Sequence, residues 1–187
     1  MMIKTIKRLT ILIIMFSAGC GLFAPSATDI SEIAFRGQTG LLGSAYTVSF
    51  LSDGTANCEC SFYRLDENKK PNLEFIENIC SDLYQKDSST FHQVKDSSGD
   101  VKLKGIFTGK ITKEQFEKLA QNLRSNGFFS IVEIESSDLK LDAPPNFIKA
   151  VYAGKTKEIS DENNNLSSIE TVIIGTAKET KWLVKNK

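Results

Sequence analysis

Tyr46, Val48 and Phe50 alternate with Thr47, Ser49 and Leu51, and Ser52-Asp53-Gly54 follows at once. A period of two is the pattern of a half-buried strand, and the turn residues can return the chain along residues 55–63. Two registers compete for this hairpin. A two-residue Asp53-Gly54 turn sets Phe50 across from Asn57 and Val48 across from Glu59, which puts polar side chains on the apolar face. A three-residue loop, with Gly54 left-handed in a G1 bulge, pairs Phe50 with Ala56, Val48 with Cys58 and Tyr46 with Cys60. The second register buries one consistent face, and the sequence therefore predicts it. It also carries two cysteines into the core.

A second hairpin is expected near the C-terminus, where residues 147–153 and 156–160 flank Gly154-Lys155. Gly at the first central position suits a type II′ turn, which sets Ala150 opposite Ile159 with Ile148 and Tyr152 on the same face. Residues 101–108 and 30–35 read as further strands. Residues 113–126 form the clearest helix: Thr112 is its N-cap, Gln115 completes a capping box, and Ile111 and Phe116 occupy the staple positions. Phe116, Leu119, Ala120 and Leu123 then follow helical spacing to a stop at Gly127. A second helix is expected over residues 168–178, because Leu166, Ile169, Val172, Ile173 and Ala177 suit one helical face. The β-branched run from Thr171 to Ile174 would also fit a strand. Trp182 is expected to pack a final turn against the body. Residues 82–100, with their Lys, Asp and Ser clusters, read as a surface loop or a long hairpin. The sum is an α+β fold, an antiparallel sheet of roughly five to six strands with two helices packed on one face.

The N-terminus gives an address. Lys4, Lys7 and Arg8 precede an apolar run over residues 9–16 that ends in Ser17-Ala18-Gly19-Cys20. A basic start, a short apolar core and small residues are the parts of a secretory signal. The run is too short to span a membrane, which takes ~20 apolar residues. No polar face interrupts it, as one would in a soluble helix. The small residues followed by Cys20 resemble the lipobox of bacterial lipoproteins, with Ser17 where that motif usually has Leu. The resemblance implies cleavage between Gly19 and Cys20 and diacylation of Cys20 with palmitate-class chains. It also implies attachment of the mature chain to the membrane through its lipidated N-terminus. Residues 20–29, with Pro25 and small side chains, suit a tether, and residues 30–187 remain for one α+β domain. Gly21 stands where an Asp retains lipoproteins in the inner membrane of enteric bacteria, so the expected home is the outer membrane if the host has one.

Charge excludes one class of partner. Losing residues 1–19 removes three of the 23 Lys and Arg and none of the 23 Asp and Glu, leaving a net charge of −3. A faintly acidic chain has no electrostatic reason to seek nucleic acid.

The order of parts in the remainder is similar to a small, widespread domain of unknown function found in secreted and lipid-anchored bacterial proteins. The elements that carry the resemblance are Tyr46-Thr47-Val48, Ser52-Asp53-Gly54-Thr55, Gly105 through Gly109, Ile111-Thr112, Gly127-Phe128-Phe129 and Lys181-Trp182. They cover most of residues 30–183. Members of that family often carry a Cys-x-x-x-Cys pair just before the Tyr strand, where this chain has Thr39 and Gly43. The resemblance implies a fold and an extracytoplasmic setting and assigns no activity.

Chemistry is most readily sought at Cys58, Cys60 and Cys80, in a chain that should mature where thiols oxidise. Three is an odd number, so one intramolecular disulfide leaves one thiol over. Cys58 and Cys60, at i and i+2 on a strand, could both reach toward Cys80. Two readings follow. In one, Cys80 pairs with one of them and the other is a small buried hydrophobe. In the other, His92 joins the three cysteines in a Cys3His site for Zn or Cu(I), although Cys-x-Cys is not the usual zinc spacing. Other constellations fail. Asp161-x-Asn163-x-Asn165 opens like an EF-hand loop but has Leu166 where Gly is needed and Val172 where the bidentate Glu belongs. No nucleophile elbow accompanies His92, the one histidine, which reads as an exposed loop residue. No Gly-rich phosphate loop precedes a helix. Phe128 and Phe129 read as core rather than as a binding patch. No residue set argues for an enzyme or a cofactor. The expectation is a lipid-anchored, non-catalytic binding module for an unidentified envelope protein or ligand. The alternative is a metal- or redox-active lipoprotein using Cys58, Cys60 and Cys80.

Overall fold

One antiparallel sheet organises the chain. The computed structural model describes residues 24–39, 43–73, 78–95, 99–131, 146–160 and 166–183. Its strands are β1 (Ile30–Thr39), β2 (Ser44–Leu51), β3 (Thr55–Phe62), β4 (His92–Lys95), β5 (Val101–Lys110), β6 (Phe147–Tyr152), β7 (Lys155–Ser160) and β8 (Lys181–Trp182). Seven of them lie in the order β4-β5-β3-β2-β1-β6-β7, and β8 pairs with the end of β5 through Gly109 and Trp182. Three helices are described: α1 (Ile79–Lys86), α2 (Lys113–Ser125) and α3 (Ser167–Glu179). The α+β class and the antiparallel sheet are as expected; the described residues hold more strands and one more helix than the sequence suggested. The lipobox and the Asp161-x-Asn163-x-Asn165 segment lie outside the described residues.

The β2–β3 hairpin has the register that its apolar face requires. Tyr46 faces Cys60, Val48 faces Cys58 and Phe50 faces Ala56. Gly54 is left-handed at φ +84°, and its N–H donates to the Leu51 carbonyl at 3.0 Å. The Thr55 N–H donates to Asp53 Oδ1 at 2.8 Å, which holds the Asp53 carboxyl below the usual carboxylate range.

The β6–β7 hairpin corrects the expected register. Ile148 faces Ile159, Ala150 faces Lys157 and Tyr152 faces Lys155. The turn is therefore Ala153-Gly154, both with positive φ (46° and 73°), a type I′ geometry rather than type II′. A left-handed alanine costs about 1–2 kcal/mol. Contacts beyond the hairpin offset that cost: the Ala153 N–H donates to the Asp29 carbonyl at 3.2 Å, and Lys157 Nζ donates to the Phe129 and Ile131 carbonyls at 3.0 and 2.5 Å. The slide is by two residues, so every side chain keeps the face it was assigned.

The helices follow their caps. Thr112 Oγ1 accepts from the Gln115 N–H at 3.1 Å, and Gln115 Oε1 accepts from the Thr112 N–H at 2.8 Å. In α3, Ile169, Ile173 and Ala177 are buried with Leu166, and helical spacing prevails over β-branching. Helix α1 corrects the reading of residues 82–100 as loop or hairpin, since it covers their first five positions. Asn78 Oδ1 caps it by accepting from the Cys80 and Ser81 N–H groups at 2.9 and 3.3 Å. The later part of that segment is a hairpin arm, β4 against β5. Trp182 lies in β8 rather than in a final turn, and its indole N–H donates to the Ala177 carbonyl at 3.0 Å.

The two sheet faces differ sharply. Ile33, Phe35, Val48, Phe50, Cys58, Cys60, Phe62, Phe107, Ile148 and Ile159 point to one side and share a core with Leu83, Leu119, Leu123, Ile169 and Ile173 of the helices. Glu32, Arg36, Thr47, Glu59, Lys104, Ile106, Lys149 and Glu158 alternate with them on the side away from that core. Phe128 is fully buried and Phe129 half-buried against Tyr152, as expected of core rather than patch.

Candidate functional site

The cysteine cluster lies under α1. Strand alternation puts Cys58 and Cys60 on the inner face of β3, and the Asn78 cap starts α1 with Cys80 in its first turn. Asn78 Nδ2 also donates to Ser44 Oγ of β2 at 3.1 Å, which fixes the start of α1 over the sheet. Cys60 and Cys80 are joined in a disulfide with Cα atoms 5.6 Å apart. Cys58 is a free thiol, fully buried, its Sγ 3.7 Å from that of Cys60. The three sulfurs lie within 4.8 Å of one another.

His92 does not join them. It pairs with Lys104 of β5, whereas Cys60 pairs with the adjacent Gly105. Neighbouring positions on a strand point to opposite faces, so His92 is exposed on the outer side of the sheet. The Cys3His arrangement is corrected to a set of three sulfurs, two of them spent in a bond. Burial, with the Glu59 carboxylate as a smaller cause, pushes the Cys58 thiol up to about 12. At neutral pH it is neither a nucleophile nor a ready metal ligand. As the sulfurs stand, their chemistry is that of a covalent clasp between β3 and α1.

The second candidate is the outer sheet face, whose shape sequence reasoning did not anticipate. Two shallow depressions of about 220 and 270 Å³ adjoin there and share Arg36 and Thr47. Glu32 is paired with Lys149 at 3.0 Å and Glu59 with Lys104 at 2.7 Å. Arg36 stacks over the Phe147 ring at 4.4 Å, and Lys102 lies over Tyr63 at 5.3 Å. A cation over an aromatic face is drawn to the negative potential of the ring. Tyr63 and Ile106 are 46% and 56% exposed. The signal available beforehand was the alternation itself: each strand that buries every second residue presents the others.

No protein-family model matches the chain, and comparison with curated proteins finds no match either. No described helix is long and apolar enough to cross a membrane.

Proposed function

We propose that this chain is a lipid-anchored bacterial envelope protein whose α+β domain serves as a non-catalytic interaction module. The observation that carries the reading is the outer sheet face. It presents two cation–aromatic stacks across two adjoining depressions, with Arg36, Lys102 and Phe147 on strands and exposed Tyr63 directly after β3, and exposed Ile106 on β5 beside Glu59 at their edge. Rigid strands make a pre-organised contact surface, which lowers the entropic cost of binding. The Cys60–Cys80 disulfide suits an oxidising compartment, in keeping with the N-terminal signal. The lipobox resemblance supplies the anchor at Cys20, with the outer membrane as the home in a host that has one.

The reading is tested at both ends. Labelling cells with a fatty acid analogue should mark the wild-type protein and leave Cys20→Ser unmarked and outside the membrane fraction; equal labelling of both would overturn the anchor. In-cell crosslinking from position 106 should give a discrete adduct that is lost on Arg36→Ala, and an unchanged pattern would overturn the role of the face. A second reading, a metal- or redox-active lipoprotein, draws on the close approach of the three sulfurs. Thiol and metal counts separate the two: one free thiol beyond Cys20 and no metal fits the module, three reduced thiols with Zn or Cu fits the rival.

A further inference from the structure

The clasp has a third sulfur against it. Cys58 Sγ is 3.7 Å from Cys60 Sγ, at van der Waals contact, and all three sulfurs fit within 4.8 Å. We propose that Cys58 is a second partner for Cys80, so that the bond between β3 and α1 can pass from Cys60–Cys80 to Cys58–Cys80 by thiol–disulfide exchange. The Cys58 thiol gives up its proton and the thiolate attacks Cys80 Sγ. The Cys60–Cys80 bond breaks, and Cys60 leaves as a thiolate that takes up a proton. One disulfide and one thiol stand on each side, and no oxidant or reductant is consumed.

At rest Cys58 Sγ stands nearer Cys60 than in line with the Cys60–Cys80 bond, so attack on Cys80 requires α1 to shift first; the backbone geometry of the product is what favours it over the other one conceivable. Attack on Cys60 would join Cys58 to Cys60, whose Cα atoms sit two strand residues or ~6.6 Å apart. That is the far limit for a disulfide, and the strand is held straight by β2 and β5 on either side. Transfer to Cys80 instead displaces the start of α1 by at most that same step along β3. The new loop is two residues longer than the old, so chain entropy does not choose between the pairings. The choice falls to packing: buried Ile79 and Leu83, with Asn78 Nδ2 on Ser44 Oγ at 3.1 Å, hold α1 in its present place. The fold therefore holds a two-position clasp, with the occupied position fixed by where α1 packs. Because the Cys58 thiol is buried and reluctant to ionise, exchange is slow in the closed fold and speeds up when α1 opens or the solution becomes alkaline.

The test is non-reducing peptide mapping of the full chain, with Cys20 followed separately. Cys60→Ser, purified under oxidising conditions, should carry a Cys58–Cys80 bond in place of the lost one. A folded Cys60→Ser protein with both of those thiols free would overturn the proposal. Wild-type protein gives a second measurement that needs no variant. After incubation at pH 9 in mild urea without reductant, acid quench and alkylation, label should appear on Cys60 as well as Cys58. Label that stays confined to Cys58 would overturn the proposal, whatever the fate of the variant.

Discussion

The two faces of the sheet are made from the same strands and held by different forces. On the inner face, Phe62 lies among Tyr84 and Phe91 with ring centroids 5.8 and 5.6 Å away, and the sulfurs sit sealed beside it. On the outer face, ion pairs such as Lys149–Glu32 keep about a third of each side chain in water. Burial energy scales with apolar area removed from water, while exposed pairs lose most of their attraction to the solvent. The inner face should therefore carry the stability and the outer face should be free to change.

That contrast can be broken by measurement. Phe62→Ala should cost about 3–5 kcal/mol in urea unfolding, since a fully buried ring leaves a cavity that the neighbouring aromatics fill only in part. A cost under 1 kcal/mol would mean that the two faces are equivalent. Reducing the disulfide, which spans 20 residues, should lower stability by about 3 kcal/mol, because the unfolded chain regains the conformational entropy that the crosslink withheld. An unchanged urea midpoint would remove the clasp from the account of stability.

Alkaline pH should separate the faces in a third way. Cys58 and Tyr46 are neutral when protonated, and burial raises them from 9.0 and 10.0 to about 12 each. The folded state thus holds these protons more tightly than the unfolded one. The stability they confer is whole below about pH 9 and is lost as pH rises toward 12. Cys58→Ala should flatten the first part of that decline and Tyr46→Phe the second, as read from urea midpoints across pH. At the small end, Lys149→Ala should cost less than ~1 kcal/mol, and less still in high salt. A larger, salt-independent loss would show that the outer face is structural after all.

How much of this was legible in the sequence depended on how local the deciding contact was. The β2–β3 register follows from alternation and Gly54, all within one hairpin, and both signals are in the chain's own order. The β6–β7 register turned on Ala153, whose left-handed backbone is held by Asp29 and by the neighbouring lysine's hold on Phe129 and Ile131. Nothing within the hairpin announces those partners. Helix α1 carried a usable signal in Asn78 and Ser81, a reciprocal cap followed by Leu83, but only eight residues long and diluted by Asp82, Gln85 and Lys86. The cysteines show the same divide. Period two put Cys58 and Cys60 on one face; which of them meets Cys80 depends on where α1 sits, through contacts as distant as Ser44, 34 residues before the cap that it touches. His92 reads from the sequence as an exposed loop residue, with a metal ligand as the rival; it is exposed but on β4, and the β4–β5 register places it on the opposite side of the sheet from the sulfurs.

Three strand glycines carry a consequence of another kind. A side-chain carbon at Gly37 would stand 2.6 Å from the Tyr46 ring, at Gly105 2.7 Å from Phe91, and at Gly109 2.9 Å from Trp182. Each glycine is a socket, and its aromatic partner is the plug. Drift at either member is therefore tied to drift at the other: a larger residue at 105 becomes tolerable only with a smaller one at 91. Distant versions of this chain should be recognisable by these three coupled pairs even where the intervening residues, and the whole outer surface, have diverged beyond alignment.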